Sequence, residues 1–511
     1  MPEYLAPGVY VEEIERGPKP IEGVATSTAA FLGETERGTD WPTLVTSYNE
    51  YLRRFGDVFD DGKYMPHAVK GFFDNGGRRV YITRIVGEGA GTAAVTFGNY
   101  EIKAVGPGPA ANRTWVRLGQ GTTKDKDGNS IGFRLAIYYW DRAGQQPFDP
   151  EDDTAKLPRP YLAEVFDDLS LIKDSPNYWD KRVNHGNSAL IELNVTDGAQ
   201  IPSSVQHDQL SGGNDVNTPG ADQYQGDNPD PSKRTGLAAL ELDVFRDIAL
   251  VYAPGVGTDS AGIGIIDKIV THCEKSRFRF AVIDAPSGSA DPVKLDPRSA
   301  RESKYAAFYY PWITVSDPRS GARINIPPGG PVLGIYARTD NTRGVFKAPA
   351  NETVAGALDV EYDIDQGTQE NLNPKGVNVI RRFPGRGIRV WGARTLSSDP
   401  LNKYVPVRRF LIFAEASIYT STQWVVFEPN DYKLWARVKQ TVTLFLRTQW
   451  REGALLGAKE EEAFSVAVGR ETMTEDDILN GRLIVEVGVA VVRPAEFVIF
   501  RIYQKTEEAK S

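Results

Sequence analysis

Pro494-Ala-Glu-Phe-Val-Ile-Phe-Arg-Ile-Tyr-Gln504 has strand composition with near-alternating apolar positions, and it runs almost to the end of the sequence. The opposite end matches it, because Pro7-Gly-Val-Tyr-Val-Glu-Glu-Ile14 reads as another short strand. A terminal strand either closes its own sheet or offers a row of free N–H and C=O groups to a neighbour. With such strands at both ends, pairing between subunits stands beside pairing within the chain. Between the first strand and the body lies Glu15-Arg-Gly-Pro-Lys-Pro-Ile-Glu-Gly23, whose prolines and glycines suit an extended connector. Drawn out, it spans about 30 Å, enough to carry the strand away from its own domain.

Inward from these ends, Thr26 to Gly33 reads as a buried strand. Ser47 caps a helix from Tyr48 to Phe55, and Met65 to Asn75 reads as a second helix closed by Gly76-Gly77. Arg79 to Val86 follows as a strand, so the body opens as a β-α-β unit. From Gly87 to about Ile201 short alternating runs such as Thr114–Leu118 and Phe133–Tyr139 point to a mostly β region. Gly212 to Gly236, rich in Gly, Asp, Asn and Pro, reads as a loop or linker. Strands at Asp247–Ala253, Arg279–Ala285 and Tyr305–Val315, with a helix from Gly262 to Ser276, then suggest a parallel sheet covered on both faces. In the last block, Asn430 or Asp431 caps a long helix with Leu434, Val438, Val442, Phe445, Leu446 and Trp450 at helical spacing. Thr474-Glu-Asp-Asp477 starts a short helix that Gly481 closes, and Leu483–Val492 leads to the terminal strand.

The 511 residues predict about three domains. A net charge of −9 argues against a general nucleic-acid binder. The single cysteine, Cys273, excludes an internal disulfide and suits a reducing compartment. Met1-Pro-Glu-Tyr4 has neither the basic start nor the apolar run of a secretory leader. No run approaches the ~20 apolar residues of a membrane span, so direct membrane insertion is not expected.

A search for chemistry yields little. Of His67, His185, His207 and His272, none lies in a metal-binding or protease spacing. His272 and Cys273 are adjacent and so point to different helix faces. Gly106-Pro-Gly-Pro-Ala-Ala111 imitates the start of a dinucleotide fingerprint, but its prolines make it a rigid turn. The acidic run Asp149-Pro-Glu-Asp-Asp153 reads as a solvated loop. Arg381-Arg382, Arg386, Arg389 and Arg408-Arg409 read mostly as mixed, solvated surface, with an acidic protein partner open for a few. No catalytic residue, cofactor or metal site is assigned.

Several segments together resemble the tail sheath proteins of contractile phage tails and related injection systems. They are Tyr4–Ile14 followed by Gly23–Gly33, Phe72–Arg84, Pro327-Pro-Gly-Gly-Pro-Val-Leu-Gly-Ile-Tyr-Ala-Arg-Thr-Asp340, Arg343–Asn351, Asn371–Asn378, Val390–Thr395, Tyr404–Arg409 and Pro494–Phe497. The resemblance implies an α/β and α+β multidomain fold with a discontinuous core module from both chain ends. It implies a linking arm at 1–24, core at 25–88, an inserted β-rich outer domain at 89–205 and a linker at 206–236. A subtilisin-like α/β domain without a catalytic site would follow at 237–377, then the rest of the core with its terminal linking strand at 378–511.

The resemblance further implies a helical homo-oligomer with six subunits per ring around an inner tube. Baseplate and tail terminator proteins would be further partners, with no nucleic acid. Synthesis in the bacterial cytoplasm would precede assembly into a virion tail or a phage-tail-like particle. Strand contacts between subunits would involve Val9, Tyr10, Val11, Ile14, Phe497, Val498, Ile499, Phe500 and Ile502. Glu475, Asp476, Asp477 and Arg482 are candidates to face the tube. The alternative from another class is a hydrolase using the middle domain.

Overall fold

The computed structural model describes residues 20–260 and 262–501. They form two compact units, one of residues 25–409 with 494–501 and the other of residues 20–24 with 410–493.

The larger unit is organised by a nine-stranded sheet. Its spatial order is Glu352–Thr353, Gly387–Val390, Val377–Phe383, Ala306–Tyr310, Phe280–Asp284, Leu250–Tyr252, Ala29–Gly33, Val80–Arg84 and Thr43–Val45. The strands from Val377–Phe383 to Val80–Arg84 pair in parallel, and antiparallel strands finish both edges. Every residue of Ala29–Gly33, Phe280–Asp284 and Ala306–Tyr310 is buried. Because successive side chains alternate between faces, full burial means that both faces are covered. Strand pairing also joins the opening β-α-β unit to the central region, with Ala29 opposite Leu250 and Phe31 opposite Tyr252.

Ser47 accepts from the Glu50 amide and starts helix Tyr48–Phe55, as its position before the apolar run predicts. Helix Met65–Asp74 lies against helix Gly329–Arg343 so closely that glycine is required. A Cβ on Gly334 would stand 2.4 Å from the Phe72 carbonyl, and one on Gly330 2.4 Å from the Ala68 carbonyl. These glycines belong to the Pro327–Asp340 segment, which gives that stretch a packing reason.

The β-rich region forms two small sheets. One holds Gln206–Gln209, Thr114–Gln120, Phe133–Tyr139 and Leu162–Leu169, and the other Ala94–Phe97, Tyr100–Ala104 and Ile191–Val195. Val116, Leu118, Leu135, Ile137, Ile102 and Leu193 share a core. The Gly212–Gly236 segment is more structured than its composition suggests, since it carries helix Ala221–Gln225 with Tyr224 buried.

In the smaller unit Asp431 caps helix Tyr432–Arg451 by accepting from the amides of Lys433 and Leu434, both at 2.9 Å. Leu434, Val438, Val442, Phe445 and Leu446 are its buried stripe, as the periodicity predicts, whereas Trp450, expected in the same stripe, is only half-buried and donates to the Gly457 carbonyl. Strands Phe464–Val468 and Val485–Val489 form an antiparallel ribbon. No described helix is long and apolar enough to cross a membrane.

Candidate assembly surfaces

The carboxyl end is rooted by a single side chain. Glu496 Oε1 accepts from Arg394 Nε at 2.7 Å and from Asn373 Nδ2 at 2.9 Å. Its Oε2 accepts from Arg394 Nη2 at 2.7 Å and from Tyr404 Oη at 3.0 Å. Arg394 is itself fixed, because Nη1 donates to the Asn373 carbonyl and its backbone exchanges two bonds with the Asn378 side chain. Burial alone would raise the Glu496 carboxyl, but the Arg394 and Asn373 bonds and the Arg394 charge outweigh it and hold it below its usual range. Immediately beyond, Phe497, Val498, Ile499 and Phe500 form an apolar run exposed by 70–86%. Residues 494–501 carry no regular secondary structure, so the expected strand is not paired within the chain over these residues. Ile502, and Val9, Tyr10, Val11 and Ile14, lie outside the described residues.

The amino-terminal connector is rooted in the smaller unit. The Val24 amide donates to Ser417 Oγ at 3.1 Å, and Gly23 meets the Phe413 ring so closely that a Cβ would stand 3.0 Å away. In the same unit the ribbon of Phe464–Val468 and Val485–Val489 has no third strand among the described residues. Its second strand is largely exposed, Val487 included. Just beyond Val489 the backbone of Ala490 and Val492 bonds Leu456 and Ala454, but over Val485–Val489 no further described strand is added. A two-stranded ribbon is marginal alone and is a template for further strands.

The four tube-facing candidates come together around one short helix, Glu475–Leu479. Thr474 Oγ1 accepts from the Asp477 amide while the Asp477 side chain accepts from the Thr474 amide, a reciprocal cap. Arg482 reaches Asp476 at 2.7 Å and Asp477 at 2.9 Å, and Arg470 lies 3.4 Å from Glu475. Asp477 is thus engaged in capping, whereas Glu475 and Asp476 stand out toward solvent.

Two expectations about charge need correction. Arg408 and Arg409 are buried, not solvated. Arg409 donates to Asp340 at 2.6 and 2.9 Å and to the Thr26 carbonyl at 2.9 Å, and its guanidinium lies over the Tyr336 ring. The Asp149–Asp153 run is not wholly a solvated loop, because Asp149 is buried beneath Arg117 and accepts from His207 Nδ1 at 2.8 Å. Asp149, Asp152 and His207 have the spacing of a cation site, but the Arg117 guanidinium already bonds both carboxylates.

The ring nitrogens of His272 face Arg279 and Glu241, and burial holds this histidine below its usual pKa. Asp284, at the end of a central strand, is wholly buried and accepts from Tyr252 Oη at 2.6 Å and the Gly329 amide at 2.9 Å.

Comparison with known proteins decides the family. Residues 233–396 match the phage tail sheath protein central domain and residues 397–505 the phage tail sheath C-terminal domain, together more than half of the chain. The chain belongs to the phage tail sheath family. It is 26% identical over 278 residues to a prophage major tail sheath protein of Pseudomonas aeruginosa, covering 53% of this chain and 69% of that protein. It is 28% identical over 196 residues to the tail sheath protein of Burkholderia phage BcepMu, covering 35% of this chain and 41% of that one. Among solved structures, the anti-feeding prophage helical sheath in its contracted state aligns with a TM-score of 0.59 at 25% identity, over 98% of this chain and 99% of that one. The sheath complex of an extracellular contractile injection system, PVC, in its contracted state aligns with a TM-score of 0.60 at 23% identity, over 99% of this chain and 100% of that one. The protein is therefore a structural subunit of a contractile tail sheath, built as a mixed α/β multidomain chain with several sheets. Nothing in these relatives supports the hydrolase reading.

Sequence reasoning picked out the terminal apolar run and the acidic helix. It did not find the Glu496–Arg394 clamp or the Arg409–Asp340 pair, because both join residues far apart in the chain. Their only trace is that all four charged residues lie within, or at the end of, the sheath-like segments.

Proposed function

We propose that this sheath subunit polymerises as stacked six-membered rings around an inner tube and that contraction of the polymer drives the tube through a target envelope. The observation that carries the reading is the apolar run Phe497–Phe500, exposed and unpaired directly after a fixed root. An exposed run of this length is an aggregation hazard in a monomer and an asset in a polymer. The smaller unit supplies a fitting receptor in its open ribbon of Phe464–Val468 and Val485–Val489. Addition of a neighbour's strands to this ribbon would bury the apolar run and satisfy its backbone groups. Head-to-tail contacts of that kind do not close on themselves and so generate a helical filament.

In this reading residues 1–24 and the terminal strand link neighbours, while the α/β domain at 237–377, subtilisin-like in fold, serves as structure. Contraction is a rotation and repacking of near-rigid subunits, with the linking segments as hinges, and its energy comes from new subunit contacts. Glu475 and Asp476 are the side chains best placed on the short acidic helix to meet a tube. Baseplate and terminator proteins would bound the polymer at its two ends.

Negative-stain electron microscopy of the purified protein over a range of concentrations, with and without the cognate tube protein, tests the reading. Hollow helical tubes are the expected result. Dispersed particles under both conditions would overturn it. Deletion of Met1 to Ile14 should leave a folded subunit that cannot form or hold a sheath.

A further inference from the structure

The polar cluster around Glu496 is more elaborate than the local fold needs. Residues 494–501 form no helix or strand, and the side chains of Phe497 to Phe500 are largely exposed. Yet the one acidic residue between Arg493 and Arg501 collects four hydrogen bonds from three side chains. Arg394 presents its guanidinium side-on, which fixes direction as well as distance. It is only 7% exposed and Glu496 20%, so water competes weakly for the pair. Lys403 adds a further positive charge at 3.9 Å. Behind Arg394, Asn378 holds the backbone at both the amide and the carbonyl, and Asn378 itself sits in the parallel strand Val377–Phe383. A continuous line of bonds thus runs from the sheet, through Asn378 and Arg394, to Glu496.

We propose that Glu496 is the anchoring root of the linking strand: its bidentate clamp to Arg394 fixes where the strand leaves the α/β sheet unit and passes tension from a neighbouring subunit into that sheet. The inference rests on the strand-exchange reading given above and adds the residue through which the link is held. Without the clamp, the exposed run would hang from a longer, freer tether. A freer tether lowers the effective concentration of the strand at its receptor and lets each link yield under load. Glu496 is a positioning residue in this scheme, since it acts on the neighbour only through the strand that it orients.

The test compares full-length wild type with E496Q, R394K and Y404F. Two quantities are read for each: the critical concentration for tube formation by electron microscopy and sedimentation, and the urea midpoint of the unassembled chain. Glu496→Gln keeps size but cannot accept the two charged bonds, and Arg394→Lys keeps charge but loses the fork. Both should raise the critical concentration about tenfold or more, as expected for loss of charge-assisted bonds. Each also leaves a largely buried charge short of its partner and so lowers the urea midpoint; Gly334→Ala, which loosens packing away from the strand, is the control for that loss. A purely structural role would give the clamp variants and Gly334→Ala the same critical concentration for the same fall in midpoint. Should E496Q or R394K fail to fold, Tyr404→Phe removes the 3.0 Å bond to Glu496 while both charges stay, and supplies the same comparison with a smaller shift. Tubes from wild type and from E496Q at equal critical concentration overturn the clamp alone. Absence of tubes from wild type, even with tube protein, overturns the sheath reading and the clamp with it.

Discussion

Arg409 and Asp340 form a doubly bonded ion pair with both side chains under 5% exposed. Thr26 completes it, donating its hydroxyl to Asp340 at 2.7 Å and accepting from Arg409 through its carbonyl. Burial alone would lower the Arg409 guanidinium; the Asp340 charge and hydrogen bonds outweigh this and hold it above its ordinary value. The pair ties the chain just before the first central strand to helices Gly329–Arg343 and Val405–Ser421. Arg409→Met would leave Asp340 as an unpaired buried charge, at a cost of about 3–5 kcal/mol. Asp340→Leu added to it should recover part of that loss, though the Thr26 groups stay unpaired. Urea denaturation of the two variants measures both, and a cost under about 1 kcal/mol for Arg409→Met would contradict the account.

Gly334 and Gly330 make a second, purely steric prediction. An alanine in a helix is normally better than glycine by about 1 kcal/mol. Here the added methyl would meet the Phe72 or Ala68 carbonyl at 2.4 Å, and neither backbone can yield without moving its helix. Gly334→Ala should therefore destabilise by about 1–3 kcal/mol. Gly367→Ala is the control, because its nearest neighbour outside its own helix is Asp365 at 3.7 Å, and it should stabilise by about 0.4–1 kcal/mol. Equal thermal shifts for the two variants would remove the steric explanation.

What the sequence disclosed follows from the range of each interaction. Caps act over three residues, so Ser47, Asp431 and Thr474 were legible, as was the buried stripe of helix Tyr432–Arg451. Strand pairing in a parallel sheet acts over hundreds, and no local pattern places Ala29 beside Leu250. For that reason the residues of the opening β-α-β unit do not announce their sheet neighbours, and Ala29–Gly33 and Val80–Arg84 pair within the nine-stranded sheet of the larger unit. Charge is the least legible property of all. Arg409 looks like surface until Asp340 is placed beside it, and Glu496 looks like a solvated strand residue until Arg394 is found 102 positions away. The terminal run Phe497–Phe500 was visible because its signature is local, a stretch of strand-forming apolar residues.

Asp284 predicts a dependence of stability on pH. Burial pushes its carboxyl up to about 7, outweighing the bonds from Tyr252, Gly255 and Gly329. A carboxyl whose folded value exceeds its unfolded value of 3.8 holds its proton more tightly in the native state. Its contribution is therefore fully present at low pH and is lost as pH rises from about 4 to about 7. Asp284→Asn keeps an oxygen acceptor for the Gly329 amide but cannot ionise. The urea midpoint of this variant should gain on wild type between pH 5 and pH 8, and parallel curves over that range would show that Asp284 does not titrate there.

Phe500 separates folding from assembly. It is 86% exposed, so replacing it should change subunit stability by no more than about 0.5 kcal/mol. A strand that joins a neighbour's ribbon, however, would bury such a side chain against the receiving sheet. Phe500→Asp places a charge in that position, where desolvation without a partner is costly. The variant chain should melt like wild type yet form no tubes, and it should not compete with wild-type subunits for tube ends. An aspartate at an exposed apolar residue of the β-rich region, Ile172→Asp, is the control and should leave assembly unchanged. Normal tubes from Phe500→Asp would mean that the run beyond Glu496 is not the linking element, and the exchange of strands would have to be sought elsewhere in the chain.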